Sequence, residues 1–473
     1  MQIVRLGHAP RWLSRAVMPL FAATIAATFV AAVPSRGATQ PPAPLPTQAP
    51  AQPPARAQAP LSRDTVLLGS ILDAVERANP RLDAARATAR AARARIAGVT
   101  RPPDPQLQLG WMNYELPSLR PMDAIGMTQL QLMQMLPLGG KLRLAGVAET
   151  ARADATATRV ADVSFDLRAR AAMVFYDIYA TDGALGVARD TRRLLQDISD
   201  IAGKMYQVGE GRQTDVLRAN VELARMQEEI IRMEAMRVTM TARLNALRVE
   251  PPDVAVAAPV LPRFETAAPT LDSLIRLAEQ YRPMIRAGAQ DVDAADAAAQ
   301  LARREIWPDL QLGVQYGQQP GADGAQRMAS LMVGASLPIF AKQRQYQMRE
   351  ETNAMRAMAT ADLAAMRAET RGAVGEAYAS LGRARRLAEL YRTSVLPQAR
   401  ATVTSSLAAY QVGTVNFMTL LDAQMTLNRY AADLFTLEAD EGKAWAELEM
   451  LTGRVLVNAH TAQPARPAGG PPK

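Results

Sequence analysis

The chain has 473 residues, a formal net charge of +8, 49% hydrophobic residues, two histidines and no cysteine. Disulfides, thiolate metal sites and a lipidated cysteine are therefore excluded. With His8 and His460 near the two ends, a histidine base or a histidine-rich metal centre has nowhere to form. No basic patch is interleaved with aromatics, so the chain reads as one that does not bind nucleic acid.

Residues 1–32 read as a secretory signal peptide. Arg5, Arg11 and Arg15 precede an apolar run over 17–32, and Val30-Ala31-Ala32 supplies small residues for cleavage. The run falls short of the roughly 20 residues that a spanning helix needs. Residues 33–63, rich in Pro, Ala and Gln with no apolar period, read as a disordered lead-in.

The rest reads as one unit written twice, over 64–250 and 271–455, with a linker at 251–270 and a disordered C-terminal tail at 456–473. Tyr206-Gln207-Val208-Gly209 recurs as Tyr410-Gln411-Val412-Gly413, an offset of 204 residues. Pro105-Gln106-Leu107-Gln108-Leu109-Gly110 recurs as Pro308-Asp309-Leu310-Gln311-Leu312-Gly313, and Pro80 recurs as Pro283, both at an offset of 203. Leu136-Pro137 recurs as Leu337-Pro338. A spacing near 200 residues is far longer than a solenoid period. Each copy is expected to run helix, two strands, a long helical stretch broken by one glycine turn, and a further helix.

Four segments alternate with period two. Leu107, Leu109 and Trp111 alternate with Gln106, Gln108 and Gly110, and Leu130 and Leu132 with Gln129 and Gln131. Leu310, Leu312, Val314 and Tyr316 alternate with Asp309, Gln311, Gly313 and Gln315, and Leu331, Val333, Ala335 and Leu337 with Met332, Gly334 and Ser336. One apolar and one polar face at this length suit strands of a membrane barrel, with Trp111, Tyr114, Trp307 and Tyr316 near strand ends as interfacial anchors. Loops are expected near 115–127 and over 318–327. Neither strand pair has an evident partner elsewhere in the chain. Four strands cannot close a barrel and open edges are not tolerated in lipid, whereas three chains supply twelve strands and a lumen.

No proline lies between Pro137 and Pro251, and strong helix formers dominate. The only break there is Gly209-Glu210-Gly211, which leaves a helix of about 65 residues from Lys141. A heptad seam runs through Val216, Ala219, Leu223, Met226, Ile230, Met233, Met240, Leu244 and Leu247, with Arg237 in its one polar slot. The seam of the second copy runs from Leu420 to Leu451 with Glu441 in that slot. The methionines of these seams read as packing residues, not metal ligands. A second stripe, Leu217, Ala224, Ile231 and Val238, implies neighbours on another side, as in a ring of helices. Pro397, where the first copy has Arg193, is expected to kink the second long helix. No nucleophile–base pair or carboxylate cluster is spaced for catalysis, so the chain reads as a non-enzyme without a cofactor or metal site.

The duplicated order, the Tyr-x-x-Gly turn followed by an x-x-Leu-x-Ala helix, and the Leu-Pro-x-x-x-Lys strand exits resemble the TolC family of outer-membrane efflux proteins over residues 64–455. The exit from Gln134 through Leu136-Pro137 to Lys141 is similar to the heavy-metal branch. The resemblance implies an α+β membrane protein: a long antiparallel coiled-coil helical tunnel in the periplasm, plus four strands contributed to a trimeric 12-stranded β-barrel in outer-membrane lipid, with internal structural duplication. It implies a homotrimer acting as a passive duct in a tripartite system, together with a periplasmic membrane-fusion adaptor and an inner-membrane pump of the resistance-nodulation-division type. The tip turns carrying Gly209, Gly211, Gly413 and Thr414 would contact the adaptor. The periplasmic gate implied by the family carries over in part: Asp422 matches one acidic position, Thr419 occupies the other, Val415 replaces an arginine, and Tyr410 and Asp215 match a link between neighbouring coiled coils. A duct for type I protein secretion and a periplasmic coiled-coil scaffold without a pore are the competing readings.

Overall fold

With no proline between Pro137 and Pro251, the first half carries one unbroken helix, α3 (Lys141–Gln207), of 67 residues. That is about 100 Å of helix. In this computed structural model residues 65–118, 120–122, 126–264, 269–321 and 324–461 are described. The expected signal and lead-in and the end of the expected tail lie outside them.

A short strand, β1 (Thr65–Leu67), leads into α1 (Leu68–Ala78) and α2 (Pro80–Val99). Pro80 pre-sets the first turn of α2, and the Asn79 side chain accepts from the backbone N–H of Arg81 at 3.0 Å. Then come β2 (Gln106–Met112), β3 (Tyr114–Glu115), β4 (Arg120–Pro121), β5 (Met127–Leu136), α3 and α4 (Gln213–Arg248). The second half has β6 (Ala258–Val260), α5 (Leu271–Tyr281), α6 (Pro283–Arg304), β7 (Leu310–Gly321), β8 (Gly324–Ala335), α7 (Gln345–Leu390), α8 (Leu396–Gln411) and α9 (Phe417–Thr452).

Where a kink is expected at Pro397, a π-helical turn, Tyr391–Val395, stands between α7 and α8. Pro397 has no N–H to offer the carbonyl one turn back, and the widened turn just ahead of it accommodates that loss. Arg193, at the matching place, lies inside the continuous α3.

The strands form one antiparallel sheet in the order β2-β5-β7-β8. The expectation that each pair lacks a partner in the chain is therefore corrected: β5 and β7 join the two hairpins, with Leu130 opposite Tyr316. The edges β2 and β8 have no strand beside them among the described residues. The loop expected over 318–327 is mostly strand, because pairing continues to Gly321 opposite Gly324. β3 and β4 form a small arm of their own within the loop expected near 115–127.

Two ends read as linker and tail are built into the fold. β6 pairs in parallel with β1, so part of the 251–270 segment is sheet. Residues 456–461 are packed: Leu456 and Val457 donate their N–H groups to Glu449 Oε1 at 2.8 Å each, and Gly69 N–H donates to the Ala459 carbonyl at 2.9 Å. Neither contact could be foreseen from local composition, since each partner is distant in sequence or needs a helix end to present it.

The long helices pack along α3, which touches α2, α4, α6 and α9. The first seam is buried at Ala219, Met226, Ile230, Met240 and Leu244, and the second at Leu420, Leu434, Ala444, Leu448 and Leu451. Both polar seam slots hold ion pairs. Arg237 reaches Asp182 at 2.8 Å, and Glu441 receives Arg385 at 2.7 Å. The second stripe is largely exposed at three of its positions: Leu217, Ile231 and Val238 are 57%, 57% and 67% exposed.

Candidate functional site

Register in the sheet sorts side chains strictly by face. Leu107, Leu132, Val314 and Leu331 form one row across the four strands, and Leu109, Leu130 and Tyr316 sit in the next. All seven are exposed. An apolar face of this extent is unstable in water and suits lipid. The other face carries Gln106, Gln108, Gln129, Gln131 and Gln315 with Gly110, Gly313 and Gly317, and Gln315 donates to Gln129 across the strands.

The expected aromatic anchors are spread along the sheet. Trp111 is the next-to-last residue of β2 and is 58% exposed. Tyr114 lies just beyond it, its hydroxyl 2.8 Å from Thr128 Oγ1. Trp307 stands at the opposite end, between α6 and β7, and is 52% exposed. Tyr316 is in mid-strand rather than near an end, because β7 extends through Gly321. Phe340 stands exposed after β8, beside the exposed Leu337 and Ile339.

At this foot Lys141, the first residue of α3, is buried. Its Nζ donates to Asp309 Oδ1 at 2.8 Å and to the Trp307 carbonyl at 2.9 Å, and lies 3.4 Å from Glu305. The motif lysine of the other exit, Lys342, is exposed.

At the far ends of the helices, the two glycine turns are built alike. Gly209 and Gly413 have φ of 81° and 74°, left-handed values that favour glycine. Gly209 N–H donates to Tyr206 and Glu210 N–H to Met205, while Gly413 donates to Tyr410 and Thr414 to Ala409. Each pair of bonds closes its helix as a Schellman cap. Gly211 is needed for another reason: a Cβ there would lie 2.8 Å from the Tyr206 backbone nitrogen. Asn416, unremarked in the sequence, caps α9 by accepting from both the N–H and the hydroxyl of Thr419 at 3.0 Å. The two tips share one apolar cluster, in which Ala202 and Ala219 of the first meet Tyr410 and Phe417 of the second.

Tyr410 is 5% exposed and meets the Phe417 ring edge-on at 5.8 Å. Burial pushes its hydroxyl pKa upward, and the nearby Asp215 carboxylate adds to the shift. Among the described residues no hydrogen bond joins it to Asp215, its expected partner. Thr419 and Asp422 are exposed, and lie three residues apart on one face of α9. No group of three or more His, Cys, Asp or Glu is placed to hold a metal among the described residues.

The family model described as outer membrane efflux protein matches residues 71–248 and 274–454. The chain belongs to the outer membrane efflux protein family. This efflux protein is 25% identical over 307 residues to the cobalt-zinc-cadmium resistance protein CzcC of Cupriavidus metallidurans, covering 62% of this chain and 69% of that one. Its fold is similar to the crystal structure of CusC, with a TM-score of 0.71 at 17% identity, covering 82% of this chain and 92% of the other. It is also similar to the outer membrane protein VceC of Vibrio cholerae, with a TM-score of 0.70 at 16% identity, covering 82% and 96%.

Proposed function

We propose that three copies of this efflux protein form the outer-membrane duct of a tripartite efflux system. The twelve strands close a barrel in the outer membrane, and the helices form a periplasmic tunnel. A periplasmic membrane-fusion adaptor and a resistance-nodulation-division pump in the inner membrane deliver the substrate. The observation that carries this reading is the four-stranded sheet, with an exposed Leu/Val/Tyr face on one side, Gln and Gly on the other and both edges unpaired among the described residues. Open edges in lipid need partners, and a second and third copy supply them. The exposed Leu217, Ile231 and Val238 stripe suits contact with the next copy's helices. The repeated order of elements in the two halves supports an internal duplication and a tube with six quasi-equivalent walls. Metal ions as cargo are supported by the CzcC relative. A scaffold without a pore has no use for a sheet with one lipid-type and one water-type face.

The test is native mass spectrometry in mild detergent, followed by planar-bilayer recording on the same preparation. A conducting trimer is the expected result. Only monomers and dimers, without conductance, would overturn the reading.

A further inference from the structure

All six methionines of the four paired strands lie on one face of the sheet. Met112, Met127, Met133, Met135, Met328 and Met332 share the register of the glutamine and glycine face, and the leucine and valine face has none. A methionine used only as a hydrophobe belongs on the apolar face, next to Leu and Val. Here it is confined to the face that the barrel turns to water.

The six form two groups, each with two members beside a glycine of β7. Gly313 stands in register between Met133 on β5 and Met332 on β8. Both side chains lie against the position its Cβ would take, with Met332 Cε 3.3 Å and Met133 Cγ 3.5 Å from that point. Met135 follows Met133 on the same face. Gly317 is opposite Met328, and Met127 Sδ reaches within 2.9 Å of its Cβ position, while Met112 is the cross-strand partner of Met127. Met112, Met135 and Met328 remain 45%, 38% and 44% exposed, so solvent reaches both groups.

The donor set is chemically one-sided. β2, β5, β7 and β8 contain no Asp, Glu, His or Cys, so the carboxylate, imidazole and thiolate ligands that bind divalent ions tightly are missing there, and only neutral glutamine amides accompany the thioethers. Uncharged thioethers select soft ions. We propose that each chain presents two three-methionine stations to the barrel lumen, at Gly313 and at Gly317, which bind a soft monovalent metal ion, Cu(I) or Ag(I), on its way out. The proposal rests on the barrel reading above, which assigns this face to the lumen. Weak donors repeated along the wall suit conduction, because an ion must enter each station and also leave it.

The test uses the full-length trimer in detergent, with bilayer conductance recorded first. Ag(I), which is stable to oxidation, is then titrated by calorimetry against the parent, Met133→Leu/Met135→Leu/Met332→Leu and Met112→Leu/Met127→Leu/Met328→Leu. Leucine keeps the volume and removes the sulfur. The single variant Met332→Leu serves if a triple variant does not assemble. Each triple variant is expected to lose one class of Ag(I) sites, or to weaken it about ten-fold, with conductance unchanged. A conducting parent that binds no Ag(I), or Leu variants that bind it as the parent does, would overturn the stations and leave the duct standing. A preparation that neither trimerises nor conducts would overturn the duct, and the stations with it.

Discussion

Lys141 Nζ lies 2.8 Å from Asp309 Oδ1, tying the first residue of α3 to the entrance of β7 across 168 positions of sequence. The same ammonium serves the Trp307 carbonyl and Glu305, so one buried cation joins helix and sheet at the foot of the fold. Lys141→Ala leaves two carboxylates and a carbonyl without their donor, and should destabilise by about 2–3 kcal/mol, since Asp309 stays partly hydrated. Lys342→Ala, at the other strand exit, should stay within about 0.5 kcal/mol. Guanidinium unfolding of the detergent-solubilised protein compares the two. Equal effects would mean that the foot is held by something else.

The gate prediction follows from Tyr410 and Asp215. The hydroxyl is buried against Phe417 and has no hydrogen bond to the carboxylate among the described residues, so in the proposed gate it would hold a closed tip by only about 0.5–1 kcal/mol. Tyr410→Phe with Asp215→Ala should raise open probability in planar bilayers by about two- to five-fold. A closed fraction identical to the parent's would remove the pair from the gate.

Three exposed Asp422 side chains, one per copy, would form a ring of like charge at a closed tip. Such a ring attracts cations. Asp422→Ala should lower cation selectivity in reversal-potential measurements and relieve block by divalent ions. Unchanged selectivity would place the constriction elsewhere.

The tip turns should differ in how they tolerate a methyl group. At Gly413 the obstacle is φ alone, because no heavy atom lies within 4 Å of a Cβ there. Gly413→Ala should cost about 1–2 kcal/mol and leave the turn in place. At Gly211 the Cβ meets backbone at 2.8 Å, so Gly211→Ala must reshape the turn. Cysteine crosslinking to the adaptor from position 209 should fall sharply in Gly211→Ala and persist in Gly413→Ala. Equal crosslinking in both would mean that the adaptor does not read the first turn.

Glu449 makes stability depend on pH. It accepts two backbone N–H groups, yet burial outweighs them and raises its carboxyl pKa above the usual glutamate range. The folded chain therefore holds this proton more tightly than the unfolded chain does. Its contribution to stability is full below the unfolded value, at about pH 4, and is lost as pH rises through the folded one. Glu449→Gln keeps the acceptor oxygen and cannot ionise. It should raise the thermal midpoint at neutral pH and match the parent near pH 4. A constant difference between the two across that range would exclude Glu449 as the source.

The order of the main elements and the length of α3 were legible in the residues alone, because those follow from local physics. Proline-free runs of helix formers set α3 and α4, alternation set the four strands, and Gly209 and Gly413 set the turns at positions where left-handed backbone favours glycine. The joining of β5 to β7 could not be read this way, since an edge strand carries no mark of its distant partner and Leu130 does not specify Tyr316. The anchoring of residues 456–461 depended on Glu449 pointing back from a helix end, and the burial of Lys141 on Asp309 arriving from the other half. The methionine face was present in the alternation all along. It became visible only when register across four strands put Met133 and Met332 over the same glycine, because a thioether on a single strand looks like any other hydrophobe, and only neighbouring strands decide whether several of them meet.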